Sequence, residues 1–234
     1  MAFGADNIDD GEIAHFEDHA ADWWQAKGPL KALHDINPLR LGYIQTRCGI
    51  PGKTFLDVGC GGGILAEALA AAGGVVTGID VAPSALASAR AHMRQRGLDI
   101  EYRRMTVEAM ARGGKRRFDA VTCVELLEHV PRPASIVRAC AAVVKPGGDV
   151  FFATVNRTWT AYVLVLLAAE RLLKIVRKGT HTYRRLVRPA ELSAWAVAAG
   201  LTVCDISGFI YLPFAGRAWL SRFDKMNYLV HLKK

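Results

Sequence analysis

The sequence predicts an α/β fold in which helices cover both faces of a mostly parallel sheet. From Thr54 onward, short apolar runs alternate with segments of helical periodicity, and this alternation is typical of strand–helix–strand units. The chain has 234 residues, of which 51% are hydrophobic and 22% are charged, enough for one domain with a full core. This composition excludes disordered, collagen-like and coiled-coil proteins.

The predicted strands are the short apolar or β-branched runs, bounded by turn residues. They cover residues 54–59, 75–80, 100–103, 118–124, 149–155, 201–206 and 228–232, which gives a seven-stranded sheet. Pro83 suits the first turn of one intervening helix and Gly97 its end. The Lys-Pro-Gly-Gly segment at 145–148 is expected to break the chain before the fifth strand.

Two regions lie outside this alternation. The first 52 residues carry no strand signal and are expected to form helices over the ligand edge of the sheet. Residues 156–188 are too many for an ordinary connection, and loops of such length usually carry function. We therefore expect a single domain over residues 1–234, divided into an N-terminal helical cap (1–52), a core (53–155), a helical insertion or lid (156–188) and the C-terminal part of the sheet (189–234).

Charge and cysteine usage limit the cellular setting. The formal net charge of +8 favours anionic ligands or surfaces without identifying one. The five cysteines form no C-x-x-C pair, and an odd count argues against a disulfide framework. The first 20 residues resemble neither a secretory nor a transit peptide. The longest apolar run, 161–169, is far shorter than the roughly 20 residues that span a bilayer. A cytoplasmic protein is therefore expected.

A glycine-rich loop follows the first predicted strand and carries the strongest ligand signal. Residues 57–63 read Asp-Val-Gly-Cys-Gly-Gly-Gly, so the bare backbone at Gly59 and Gly61 allows a ligand to approach a helix N-terminus closely. Asp80 ends the second strand, where such folds place an acid that binds two ribose hydroxyls. A nucleoside is therefore expected. Ile64 breaks the dinucleotide fingerprint, and no Walker-A Gly-Lys-Ser/Thr follows.

The string Asp-x-Gly-x-Gly-x-Gly resembles the first motif of class I S-adenosylmethionine-dependent methyltransferases. Their signature also includes the acid that ends the second strand and the Lys-Pro-Gly-Gly before the fifth, and both stand at matching places here. The resemblance covers roughly residues 53–155. It implies a Rossmann-like class I methyltransferase fold and S-adenosylmethionine as cofactor, bound by Asp57, Gly59, Gly61 and Asp80.

The segment after the fourth strand is expected to face the methyl group, because ligands of open parallel sheets sit beyond the carboxyl ends of the strands. If this segment is helical, Glu125, Glu128 and His129 stand at i, i+3 and i+4 and project from one face. Either the three hold one divalent ion (Mg²⁺, Mn²⁺ or Zn²⁺), or Glu128 orients His129 and Glu125 is merely solvated. A neutral phenol, with a pKa of ~10, is a weak nucleophile, so a cation or an imidazole would help to remove its proton. His129 and Glu128 are therefore the candidate catalytic residues.

The insertion begins apolar and becomes basic. Residues 159–178 start with aromatic and aliphatic side chains and end in Lys and Arg. A helix of this kind can lie in the headgroup layer of a membrane, and the alternative is an ordinary lid helix packed on the domain.

Nucleic acid is not expected as a partner. The basic clusters are typical of solvated faces, and the segment after the fourth strand lacks the N/D-P-P-Y/F string that clamps an exocyclic amine.

Several segments together resemble one family within this class, the O-methyltransferases of ubiquinone biosynthesis. They are residues 33–44, 125–131, 178–183, 188–192 and 226–231, so the resemblance covers nearly the whole chain. It implies methylation of a catechol-type hydroxyl on a polyprenylated ring, in two steps of one pathway. It also implies peripheral membrane association, where a lipid-tailed substrate would be met, and other enzymes of the pathway as partners.

The resemblance also assigns individual residues. It implies that Arg40 pairs with the methionine carboxylate of the cofactor and that Val124 contacts the cofactor through its backbone. The metal triad of the eukaryotic relatives matches Glu125, Glu128 and His129.

The chain departs from the family pattern in two places. Relatives often carry methionine where Val124 stands, and where many class members place an acid for the adenine amine, after the third strand, this chain reads Met-Thr-Val-Glu at 105–108. His181 lies in a family-like string, as a second base or as a structural residue. Two other functions stay open: a methyltransferase for another small hydrophobic phenol or acid, and a non-catalytic membrane adapter.

Overall fold

The structure is a computed structural model, and it describes residues 7–18, 22–25, 27–114, 117–159 and 183–234. Most of the predicted insertion helix, together with His181, lies outside these residues. Within the described part of the chain, no helix is long and apolar enough to cross a membrane.

A single sheet organises the described residues, and its first five strands are parallel. The strand order is β3-β2-β1-β4-β5-β8-β6-β7, and the last three strands pair antiparallel. The strands are β1 (Thr54–Val58), β2 (Val75–Asp80), β3 (Ile100–Arg104), β4 (Phe118–Val124), β5 (Val144–Val155), β6 (Thr202–Leu212), β7 (Arg217–Ser221) and β8 (Asn227–Lys233). The predicted α/β class and mostly parallel sheet are confirmed.

The sheet has eight strands among the described residues, so the expected count of seven was wrong. The missing strand, β7, forms an antiparallel hairpin with β6, which extends to Leu212 instead of ending near residue 206. Gly208 lies inside β6 because the backbone of Phe223 crosses close above it. A Cβ built at Gly208 would lie 2.2 Å from the Phe223 carbonyl oxygen. The glycine thus permits a crossing.

Helices cover both faces of the sheet. The described α-helices are α1 (Asp10–Asp18), α2 (Lys31–Cys48), α3 (Ile64–Ala71), α4 (Pro83–Gln95), α5 (Val107–Gly113), α6 (Pro133–Val143) and α7 (Pro189–Ala198). Two short 3-10 helices occur at Leu127–His129 and Tyr183–Arg185. The helical cap expected before the sheet is confirmed by α1 and α2, whereas α5 was not predicted.

The sheet separates the two larger apolar clusters of the core, and a third, smaller cluster includes Trp23 and Ile64. On one face, side chains of α2, α3 and α4, such as Ile44, Leu69 and Leu86, pack on the strands. On the other face, side chains of α5, α6 and α7 do the same, including Val137 and Leu192. Burial on both faces explains why the central strands β1, β4 and β5 are rich in apolar residues.

We expected the Lys-Pro-Gly-Gly segment at 145–148 to precede β5. Instead, it forms the irregular beginning of that strand. The strand starts at Val144, and its register with β4 shifts between Phe118 and Ala120. Gly147 has φ +74°, a left-handed conformation that glycine adopts readily. The segment therefore bends the strand without interrupting it.

Candidate cofactor and catalytic site

One cavity of about 360 Å³ lies at the carboxyl ends of the central strands, beneath the N-terminal cap. Its position is the one that open parallel sheets offer to ligands. The structure brings together every described residue that the sequence proposed for the site. The cavity is lined by Arg40, Asp57, Gly59, Gly61, Asp80, Val124, Glu125, Glu128 and His129. His181 cannot be placed, since it lies outside the described residues.

The glycine loop is held against the end of β2 by Asp80. The Asp80 carboxylate accepts a hydrogen bond from the Gly61 N–H at 2.8 Å and another from the Ala82 N–H at 2.9 Å. Burial raises the pKa of the Asp80 carboxyl, and these backbone donors oppose that rise. Asp80 therefore braces the loop, besides the ribose contact predicted for it.

The cap closes directly on the glycine loop through Trp23. A Cβ built at Gly61 would lie 2.2 Å from the Trp23 ring, and one at Gly62 would lie 2.5 Å from it. Trp24 adds a hydrogen bond from its indole N–H to the Gly62 carbonyl at 3.0 Å. The sequence did not single out either tryptophan. The glycines therefore admit the cap as well as a ligand.

Asp57 lies at the base of the cavity, where it is buried. Its carboxylate accepts a hydrogen bond from the Thr122 hydroxyl at 2.7 Å. Burial raises the pKa of Asp57 to about 7, against the effect of the Thr122 hydrogen bond and with help from the charge of Asp80. The carboxyl group thus links the end of β1 to β4.

Arg40 reaches into the cavity from α2 and forms an ion pair with Glu125. The Arg40 side chain is only 4% exposed, whereas that of Glu125 is 23% exposed. Glu125 follows β4 with φ +50°, in the left-handed region that a non-glycine residue seldom adopts. The condition of one helix through Glu125, Glu128 and His129 is therefore not met, because the helix that follows Glu125 is a 3-10 helix that begins at Leu127.

Glu128 and His129 belong to this 3-10 turn and contact different partners. The Glu128 carboxylate accepts a hydrogen bond from the Thr154 hydroxyl of β5 at 2.7 Å. Burial, reinforced by the charge of Glu125, raises the pKa of Glu128 to about 7. His129 Nδ1 lies 2.9 Å from Glu12 Oε2. Burial lowers the pKa of His129, but the Glu12 hydrogen bond and the charge of Glu128 outweigh it and raise the pKa overall.

The proposed metal ligands do not fit a shared ion in this arrangement. Glu125 is paired with the Arg40 cation, and His129 directs Nδ1 to Glu12. Among the described residues, no group of three His, Cys, Asp or Glu side chains is placed to hold a metal. The ligand set expected on one helical face is therefore not supported.

Comparisons with known proteins agree with this fold and show the family. The methyltransferase domain family matches residues 56–152. The ubiquinone biosynthesis O-methyltransferase of Pseudomonas entomophila (strain L48) is 50% identical over 224 residues, which cover 96% of this chain and 97% of that protein. The protein of the same name from Pseudomonas fluorescens is 49% identical, with the same coverage.

Solved structures share the fold at low sequence identity. The N-methyltransferase NodS from Bradyrhizobium japonicum, in complex with S-adenosyl-L-homocysteine, superposes with a TM-score of 0.64 over 98% of this chain and 99% of its own, at 18% identity.

The Rossmann-like fold and the cavity at its carboxyl edge thus define an S-adenosylmethionine-dependent methyltransferase. At 50% identity over nearly its whole length, the chain belongs to the ubiquinone biosynthesis O-methyltransferase family.

Proposed function

We propose that this protein transfers a methyl group from S-adenosylmethionine to a phenolic hydroxyl of polyprenylated catechols, at both O-methylation steps of ubiquinone biosynthesis. One observation carries the proposal: His129 and Glu128 line the same cavity as the glycine loop and Asp80. A base and a donor site therefore face one enclosed space. Family membership supports the substrate class.

Residues of the cap, the glycine loop and the neighbouring strand ends bind the methyl donor. Arg40 binds the methionine carboxylate in exchange for Glu125, since the guanidinium already holds a carboxylate in the cavity. Asp80 binds the ribose hydroxyls at the end of β2. Gly59, with φ +69°, lets the loop turn sharply and keeps its backbone close to the donor, and Val124 contacts the donor through its backbone.

His129 removes the proton from the acceptor hydroxyl. Its Nδ1 faces Glu12, so the proton passes from the phenol oxygen to Nε2. The resulting phenolate attacks the sulfonium methyl carbon in line, a C–O bond forms, and the C–S bond breaks to release S-adenosylhomocysteine. Glu128 lies beside the imidazole and stabilises its protonated form.

The acceptor assignment is tested with purified enzyme and methyl-labelled S-adenosylmethionine. A panel of catechols with and without polyprenyl tails is incubated with the enzyme, and products are identified by mass spectrometry. We expect label on one ring hydroxyl of the tailed catechols and loss of turnover in His129→Asn. Turnover restricted to untailed phenols or acids would assign another acceptor, and absence of methylated product with every compound would favour an adapter.

A role for Mg²⁺, Mn²⁺ or Zn²⁺ is tested in the same assay. A shared ion at Glu125, Glu128 and His129 requires the first to leave Arg40 and the last to turn from Glu12. We expect turnover to survive treatment with a chelator. Loss of turnover that is restored by one of these ions would show that the side chains rearrange around a metal.

We also propose that residues 159–178 bind the membrane surface where the lipid-tailed substrate lies. Trp159 is 68% exposed at the start of this segment, and its ring stacks on Tyr183, with centroids 4.8 Å apart. The segment therefore leaves and rejoins the domain at neighbouring points. Deleting residues 161–176 should abolish flotation with anionic liposomes and leave donor binding intact, whereas flotation of the deletion variant would refute the role. Other enzymes of the pathway remain proposed partners, to be sought by crosslinking at this surface.

A further inference from the structure

The carboxylate of Glu12 contacts the imidazole of His129, although 117 residues separate them in the chain. Glu12 belongs to α1 of the cap, and its Oε2 lies 2.9 Å from His129 Nδ1. Both side chains are largely buried, with 9% of Glu12 and 16% of His129 exposed. A contact of this kind is therefore poorly screened by solvent.

The second oxygen of the same carboxylate is also engaged. Arg185 Nη1 donates to Glu12 Oε1 at 2.9 Å, and its Nη2 donates to Asp9 Oδ2 at 2.8 Å. Arg185 thus ties α1 to the 3-10 helix at Tyr183–Arg185 through Glu12 and Asp9.

The N-terminal end of the cap is anchored as well. The Asn7 amide donates to Glu108 at 3.1 Å and to the Arg132 carbonyl at 2.9 Å, and its oxygen accepts from the Arg132 N–H at 2.8 Å. These contacts join the start of the cap to α5 and to the residue before α6. Contacts before α1, at Asn7, and within α1, at Glu12 itself, therefore hold this helix in place on the domain.

We propose that Glu12 is a positioning residue for methyl transfer: it accepts the Nδ1 hydrogen of His129 and so directs the ring's Nε2 toward the acceptor hydroxyl. This inference rests on the proposed role of His129 as the base. A neutral imidazole carries one proton, and a carboxylate at Nδ1 selects the tautomer in which that nitrogen is the donor. The same carboxylate stabilises the imidazolium that forms when the phenol loses its proton.

A purely structural role for Glu12 makes a different prediction. If Glu12 served only to tie α1 to Arg185, removal of Arg185 would be as harmful as removal of the carboxylate. Arg185→Met deletes the contacts to Glu12 and Asp9 but retains the carboxylate beside His129. Arg185→Met is therefore the matched control for loss of the contact between α1 and Arg185.

The test compares Glu12→Gln with Arg185→Met by steady-state kinetics. We expect Glu12→Gln to lower kcat by about 10- to 1,000-fold, within the loss seen when a catalytic histidine loses its carboxylate partner. The KM for S-adenosylmethionine should change less than threefold, and Arg185→Met should retain kcat within about threefold. Equal losses in both variants, or a normal kcat in Glu12→Gln, would overturn the proposal.

Two further measurements separate positioning from misfolding and from failure of the base assignment. Nitrogen-15 NMR of the histidine rings should show the Nδ1-protonated tautomer of His129 in the wild type and its loss in Glu12→Gln. In a His129→Asn background, Glu12→Gln should cause no further loss, because both changes act through one group. If His129→Asn keeps full activity, the proposed function fails; if only Glu12→Gln does, the base stands and the positioning inference fails.

Discussion

The guanidinium of Arg40 and the carboxylate of Glu125 form an ion pair that joins the cap helix α2 to the end of β4. Glu125 holds this place with a left-handed backbone, φ +50°. The Arg40 side chain is almost fully buried. Its charge would destabilise the folded state if no carboxylate paired with it. In the proposed function, the carboxylate of the donor takes the place of Glu125 beside Arg40.

Loss of the Arg40 guanidinium should weaken donor binding. We expect Arg40→Gln to reduce S-adenosylmethionine affinity by about 10- to 100-fold, because a hydrogen bond to a charged group contributes about 1.5–3 kcal/mol. Isothermal titration calorimetry measures this change. Glu125→Gln is the matched variant, since it removes the competing carboxylate and should leave the affinity equal or higher.

Methylthioadenosine, which lacks the amino acid part of the donor, serves as the ligand control for Arg40. It should bind to the wild type and to Arg40→Gln equally well. A parallel loss of affinity for both ligands would mean that Arg40→Gln damages the cavity as a whole, and the carboxylate contact would have to be sought elsewhere.

Asp80 should contribute to donor binding through the ribose. Asp80→Asn retains one carbonyl oxygen for the loop but removes the charge, so we expect at least tenfold weaker binding of S-adenosylmethionine in calorimetry. Asp119→Asn is the control, because Asp119 contacts Thr54 and Lys145 at the amino-terminal ends of β1, β4 and β5, and it does not line the cavity. Identical affinities for wild type and Asp80→Asn would remove the ribose assignment.

The close approach of Trp23 to Gly61 should make this glycine intolerant of a side chain. Gly61 (φ +51°) and Gly97 (φ +63°) share a left-handed backbone, but a Cβ at Gly97 meets no atom within 4 Å. Gly97→Ala therefore measures backbone strain alone, about 1–2 kcal/mol. Gly61→Ala should lose at least a further 1 kcal/mol to overpacking against Trp23. The free energy of unfolding in urea checks both values, and equal losses would show that the cap yields without cost.

Asp57 should make the stability of the cofactor-free protein depend on pH. Its pKa of about 7 lies above the ordinary value of 3.8, so the folded state holds a proton that the unfolded chain releases. This contribution is fully present below about pH 4 and is lost as the pH rises to about 7, which destabilises the wild type by up to about 4 kcal/mol.

Asp57→Asn cannot ionise and is the variant that tests this dependence. The difference in unfolding free energy between wild type and Asp57→Asn should shift in favour of the variant between pH 5 and pH 8. Urea titrations at these two pH values measure it. A constant difference would mean that Asp57 ionises in the folded protein at its ordinary pKa.

The order of the central elements and the cofactor loop could be predicted because both are local. The strands β1, β2 and β4 are short runs rich in apolar and β-branched residues, and the loop carries four glycines within five residues. The β6–β7 hairpin could not be predicted. A glycine such as Gly208 suggests the end of a strand in the sequence, and only the folded structure shows that it lies under the Phe223 backbone. Half-buried edge strands also lack a strong apolar signal.

The catalytic surroundings depend on contacts that no spacing reveals. Glu125, Glu128 and His129 were recognised, but the helical geometry assumed for them fails at the left-handed Glu125. Glu12 lies on a short polar helix far away in the chain, and only the folded cap brings it to His129. Tertiary contacts, and not local propensity, decide the geometry here.

The stacking of Trp159 on Tyr183 joins the two stems of the segment that lies between them. Because the stems already meet, the closure entropy of the intervening chain changes by only about 0.6 kcal/mol for each doubling of its length. A change in the length of this connection therefore has little effect on the stability of the sheet. The length of the chain between Trp159 and Tyr183 can therefore change at small cost in closure entropy, while the residues that line the cavity keep their contacts.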